Sequence, residues 1–272
     1  MGSIEENRSH WEAYDWSGGG EEWSHVWGGS SVQWEGAILP RIRPYLPAGE
    51  VLEIACGAGR WSVHLRRLAR RLTLVDLSEP AIAACRAKFA GDPAVRCFRN
   101  DGRDLSMVAE GTVEFVFSFD SLVHCELPEL ALYLKELASK LSPEGVGFFH
   151  HSNFGAVLAA VPGSQNRHWR AESVSAESFV DACRAAGLVC IAQEIVDWGG
   201  VDRCDCFSVF TRPSSRWSRD LIRIENPNLM AEATSLRLRA SLLPAADLFR
   251  GAGEQTAGPL RRIGRRLRST FQ

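Results

Sequence analysis

Two groups of residues in this 272-residue chain have the types and spacing to do chemistry. In the first, Val51-Leu-Glu-Ile-Ala-Cys-Gly-Ala-Gly59 reads as a short apolar strand that stops in a two-glycine turn, and Asp76 ends the next apolar run. A glycine turn between strand and helix lets the backbone come close to a ligand, and a carboxylate at the tip of the neighbouring strand can accept both hydroxyls of a ribose. The pairing therefore predicts a nucleoside-cofactor site. In the second group, His124, His150 and His151 follow the ends of later apolar runs. An imidazole whose pKa lies near neutrality can take a proton from an acceptor hydroxyl. Neighbouring side chains on a strand point to opposite faces, so only one of His150 and His151 is expected to reach an acceptor. His151 is the expected base, with His124 second, and each histidine also admits a structural reading as a loop-holding hydrogen-bond partner.

The elements that must position these residues alternate along the chain. Strands are predicted over Val51–Ala55, Leu72–Val75, Val95–Arg99, Val113–Ser118, Gly147–His150, Val189–Val196 and Cys206–Thr211. Helices are predicted over Trp61–Leu68, Pro80–Phe89, Glu129–Leu141 and Ser175–Ala186, with residues 155–165 as a loop. Such alternation implies an α/β fold, a seven-stranded, mostly parallel sheet with helices on both faces. The last two strands flank Trp198-Gly-Gly200 and are expected to close it as an antiparallel hairpin at one edge. Ligands of such sheets gather outside the carboxyl ends of the strands.

The order and spacing of Glu53-Ile-Ala-Cys-Gly-Ala-Gly59, Val75-Asp76-Leu-Ser, Asn100-Asp101-Gly102 and Phe115-Val-Phe-Ser-Phe-Asp120 give residues 35–212 a resemblance to the class I S-adenosylmethionine-dependent methyltransferases, a Rossmann-like family. One departure is Ala55, where the family often has a third glycine. The resemblance implies S-adenosylmethionine as cofactor. Gly57 and Gly59 would lie against its methionine part, Glu53 would orient the loop or take the ammonium, and Asp76 would hold the ribose hydroxyls. Leu77 would lie on the adenine, Asp101 would accept the adenine amino group beside Gly102, and Ser118 and Asp120 would flank the methionine end. Expected acceptor contacts are His150, Arg170, Trp198 and Trp27. A dinucleotide-binding reading is disfavoured because Arg60-Trp61-Ser62 follows Gly59, where a pyrophosphate site needs a further glycine.

More weakly, Trp-x-x-Tyr-Asp-Trp near the start, Phe-Asp-Ser-Leu-Val-His and His-His-Ser-Asn resemble O-methyltransferases of glycan and natural-product assembly. This implies a small hydroxylated acceptor such as a sugar. N-methylation of an amino sugar or amino acid stays open, as does a polymer target anchored by the basic tail.

Outside residues 35–212, the chain changes character. Residues 1–34 carry Trp11, Trp16, Trp23, Trp27 and Trp34 between glycine breaks, and both a lid over the site and simple packing account for these rings. Residues 213–272 hold eleven Arg against five acids, which leaves the first 212 residues at −8 within a net charge of −2. They contain helix-compatible stretches at Asn228–Ala240 and Ala245–Arg250 and an arginine run at Arg261–Arg268. The acidic body argues against nucleic acid as substrate. No run of eighteen apolar residues predicts a membrane span, and the polar start predicts a cytoplasmic chain. Eight cysteines scattered in apolar segments are expected to be free thiols. Cys204-Asp-Cys206 gives little support to a divalent metal. A homodimer is left open.

Overall fold

A computed structural model describes residues 3–242. The apolar runs become β1 (Ala48–Ile54), β2 (Ala69–Asp76), β3 (Val95–Arg99), β4 (Val113–Ser118), β5 (Leu141–Ser152), β6 (Val189–Trp198), β7 (Val201–Thr211) and β8 (Ile222–Asn226). They form one sheet in the order β3-β2-β1-β4-β5-β7-β6-β8. β7 is antiparallel to both β5 and β6, while the other pairings are parallel. The central strands β1 and β4 are buried almost throughout, which explains their continuous apolar sequence. The strand order reverses between β1 and β4, and a crevice opens there at their carboxyl ends.

The helices are α1 (Ile4–Ala13), α2 (Ser30–Gln33), α3 (Leu39–Ile42), α4 (Ser62–Leu65), α5 (Glu79–Lys88), α6 (Leu127–Lys140), α7 (Phe154–Ala160), α8 (Ala176–Ala185) and α9 (Leu229–Leu242). A π-helical turn, Trp34–Ile38, joins α2 to α3. On one face of the sheet, Trp27, Trp34, Ile38, Ile42, Ile82 and Leu236 pack against Phe115, Phe117 and Phe148. On the other, Leu130, Leu134 and Leu137 of α6 and Phe179 of α8 pack against Val116, Phe149 and Phe210. Ser78 caps α5 by accepting the Ala81 N–H, and Ser175 and Ser178 close a capping box on α8.

Several details differ from the sequence reading: β5 begins six residues early, at Leu141, and the helix read over Trp61–Leu68 is the shorter α4. The sheet has an eighth strand, and β8 rather than the β6–β7 hairpin occupies that edge. Its residues Ile-Arg-Ile-Glu-Asn form too short a run to stand out, and pairing with β6 is what makes them a strand. Residues 155–165 begin with a helix, α7, held where Gly155 N–H donates to the Val174 carbonyl. The hairpin turn itself is as expected, with Gly199 and Gly200 at φ 55° and 83°, the left-handed region such a turn requires. Ala245–Arg250 and the arginine run lie outside the described residues.

Candidate active site

The glycine turn is shaped by the backbone. Ala55, Gly57 and Gly59 all have positive φ, at 56°, 54° and 81°. The Gly57 N–H donates to Asp76 Oδ2 at 2.8 Å, and the Ser78 N–H donates to Oδ1 at 2.9 Å. Burial raises the Asp76 carboxyl above its ordinary value, and these backbone N–H groups oppose the shift. Each oxygen thus has one fixed donor and keeps acceptor capacity for a ligand.

Beneath the turn, Glu53 is buried and accepts the Ser62 hydroxyl at 2.6 Å. Burial pushes its carboxyl up to about 8, so it is mostly protonated at neutral pH. A Cβ on Gly57 would stand 2.9 Å from the ring of Trp16, so glycine is needed for the close approach of the amino-terminal segment.

A cavity of about 540 Å³ runs from this turn to the segment that follows β4 and the end of β6. At one end it is lined by Gly57, Asp76, Leu77 and Gly102. At the other it is lined by Asp120, His124, Arg170 and Trp198. Trp11, Trp16 and Trp23 close it from outside. These rings and Tyr14 pack with every pair of centroids 5.0 to 5.9 Å apart. Trp27 and Trp34 belong instead to the core, Trp34 stacked on His64 at 5.1 Å. The amino-terminal tryptophans therefore divide between cavity wall and packing.

Of the residues assigned by resemblance to the cofactor, Glu53, Gly59, Asp101 and Ser118 do not line the cavity. Gly59 faces Cys85 and Ser62. Asp101 Oδ1 accepts the N–H groups of Arg103 and Asp104, and so folds its own turn. Among the described residues the buried Ser118 hydroxyl has no hydrogen-bond partner. The remaining residues fit a nucleoside cofactor: Asp76 offers acceptors at a strand tip, and at Gly57 and Gly102 the backbone forms the wall itself.

The histidines separate by face. His151 was the expected base, but it is fully buried outside the cavity lining. Its Nδ1 bonds the Ser152 carbonyl at 2.8 Å and its Nε2 the Ser208 hydroxyl at 2.8 Å, with the ring stacked on Phe179. The phase of β5 turns it toward α8, so it holds strands together. His150, on the opposite face, accepts the Asp120 N–H at Nδ1, 3.1 Å, and donates from Nε2 to Asp205 at 2.9 Å. It is buried between Phe119 and Trp198 and does not line the cavity.

His124 does line it. Its Nδ1 lies 2.9 Å from the Trp169 carbonyl, which fixes Nδ1 as the donor and leaves Nε2 as the unprotonated nitrogen. Among the described residues Nε2 has no hydrogen-bond partner. Burial, reinforced by the Arg170 charge, lowers the imidazole to about 4.

Arg170 and Asp205 form a buried fork, Nε to Oδ1 at 2.8 Å and Nη2 to Oδ2 at 2.6 Å. Burial works to raise Asp205, yet Arg170 and His150 hold it well below the ordinary carboxylate range. Arg60 likewise donates to Asp120 Oδ2 at 2.9 Å. The cavity's buried arginines are therefore both committed to carboxylates. Trp198 lines the cavity with Arg170 over its ring, and Trp27 lies behind it at 6.4 Å between centroids.

Sequence reasoning did not single out Met230 or Tyr133, which line the cavity. Met230 enters from α9, far along the chain, and no local signal marks it. Among the described residues no group of His, Cys, Asp and Glu could hold a metal ion, and no helix is long and apolar enough to cross a membrane. The eight cysteines are free.

Comparison with known proteins bears on the same segment. Residues 51–145 match the family model described as a methyltransferase domain. YqeM of Bacillus subtilis, named as a candidate methyltransferase, is 26% identical over 125 residues, 45% of this chain and 48% of that protein. The match thus spans about half the length of this curated relative. Among solved structures, the PH0226 protein of Pyrococcus horikoshii OT3 is 22% identical, with a TM-score of 0.52, covering 66% of this chain and 89% of that one. An S-adenosylmethionine-dependent methyltransferase of Clostridium acetobutylicum is 14% identical, with a TM-score of 0.51, covering 66% and 91%. These similarities show a shared fold.

Proposed function

We propose that this chain, whose residues 51–145 match a methyltransferase domain, transfers the methyl group of S-adenosylmethionine to a hydroxyl of a small acceptor, with His124 as general base. The observation that carries this reading is the shared cavity, with Gly57 and Asp76 at one end and an unpartnered His124 Nε2 at the other. When bound, the cofactor supplies an electrophilic methyl group on a sulfonium.

The chain's own residues do the rest. Asp76 accepts the ribose hydroxyls, and Gly57 and Gly102 let the backbone lie against the nucleoside. Trp11, Trp16 and Trp23 exclude water from the reacting atoms. His124 Nε2 takes the acceptor hydroxyl proton as the oxygen attacks in line. Burial and Arg170 disfavour the resulting imidazolium, so the proton is readily passed on to solvent. Arg60 and Arg170 are neutralised by Asp120 and Asp205, so among the arginines of the lining only the exposed Arg167 is without a carboxylate partner among the described residues. An uncharged sugar or glycosylated natural product, with apolar faces that stack on indole rings, suits this lining.

Methylation of an amine is the second reading, favoured by Glu22 and Glu129 in the cavity wall. Matched hydroxyl and amino acceptors, incubated with S-adenosylmethionine and read by mass spectrometry, test both. O-methyl product that is lost in His124→Ala supports the first. N-methyl product that survives this change supports the second, and no product from either class counts against both.

A further inference from the structure

β8 leaves an open edge on the sheet. Its inner side pairs with β6 from Ala192↔Ile222 to Val196↔Asn226, and among the described residues no strand pairs with its outer side. Ile222 and Ile224 are 56% and 53% exposed. Natural edges are protected by shortness, proline, charged side chains (lysine above all), a bulge or a covering loop, because unpaired N–H and C=O groups invite another strand. Ile222–Asn226 contains no proline or lysine and no register shift.

The order of its charges says what fits. Arg223 and Glu225 flank Ile224 symmetrically, so an antiparallel copy centred on Ile224 sets each arginine opposite a glutamate. We propose that β8 pairs with β8 of a second copy of this chain about a two-fold axis at Ile224, joining the two sheets. Such an interface is isologous, each residue meeting its complement across the axis. In this register Ile224 meets its own equivalent and Ile222 lies opposite Asn226, which shelters the exposed isoleucines. Within one chain Arg223 donates to Gln193 at 2.8 Å and Glu177 at 2.9 Å, and Glu225 reaches Arg203 only at 3.9 Å. Both side chains are exposed and retain capacity for a partner across the axis. None of the β8 residues lines the cavity, so the pairing is independent of the proposed reaction.

Two single substitutions of the full chain test this pairing. Glu225→Lys sets like positive charges across the axis, and Arg223→Glu sets like negative charges. A mixture of the two variants restores an opposite pair at both positions. Sedimentation at roughly 100 µM protein should show wild type as a dimer, each variant with dimer affinity weakened roughly tenfold or more, and the mixture as a heterodimer. Circular dichroism of each variant establishes that it is folded. A monomeric wild type, a dimer indifferent to both changes, or a mixture that stays monomeric would each overturn the proposal.

Discussion

His124 Nδ1 lies 2.9 Å from the carbonyl oxygen of Trp169, a residue held at φ 52°. That left-handed backbone aims the carbonyl at the ring, and the bond from Ala171 N–H to the Val123 carbonyl, 2.8 Å, ties the same two segments together. The loop thus sets the tautomer of the histidine that faces the cavity. His124→Ala should lower turnover by about a hundred- to ten-thousandfold and leave S-adenosylhomocysteine affinity nearly unchanged by calorimetry. His151→Ala should instead lower the melting temperature, because it removes the acceptor of the Ser208 O–H, leaving that oxygen only the bond it accepts from Gln193 Nε2, and opens a gap beside Phe179.

Acid should destabilise the protein early. Burial lowers His124 and His151 to about 4 from an ordinary 6.5. Between those values the unfolded chain binds more protons, so stability is present above pH 6.5 and is lost as pH falls toward 4. Urea unfolding at pH 7 and pH 5 should differ by on the order of 1–3 kcal/mol for each of these buried histidines, and His151→Gln should remove part of the difference. Equal stability at the two pH values would contradict the assignment.

Glu53 works in the opposite sense. Its carboxyl is raised to about 8 by burial, so the stability that goes with its protonated form is complete below pH 4.5 and is lost as pH rises through 8. Glu53→Gln keeps an oxygen to accept the Ser62 hydroxyl and cannot ionise. Thermal unfolding should therefore find the variant more stable than wild type at pH 9, by on the order of a few kcal/mol, with a gap roughly half as large at pH 6.

Gly57→Ala should damage the cofactor site specifically. The new Cβ meets Trp16 at 2.9 Å and the residue must hold φ 54°. We expect S-adenosylhomocysteine affinity to fall about tenfold or more. Gly91→Ala is the control, since its φ of 82° imposes similar backbone strain with no atom within 4 Å. It should cost stability and leave affinity alone.

What was legible in the sequence was local. The Val51–Gly59 turn and Asp76 declare themselves because strand, glycines and carboxylate lie within one β-α-β unit, and β3 and β4 have the bounds their apolar runs predicted. Alternation correctly put His150 and His151 on opposite faces, but which face meets the cavity depends on the register of β5 against β4 and β7, which no short window contains. Arg170 looked available to an acceptor because its partner, Asp205, lies 35 residues away on another element. Asp101 reads as a cofactor contact, while its Oδ1 closes its own turn, a local use that its position after β3 does not reveal. Trp169 acts through its backbone, and the sequence carries no sign of that.

The most direct test of the account is a crystal structure with S-adenosylhomocysteine bound. The account predicts the ribose hydroxyls on Asp76 and the sulfur facing His124 Nε2 at about 6–8 Å, the span of one hydrogen bond plus an in-line attack. A sulfur directed away from His124, or a nucleoside bound without Asp76, would contradict it.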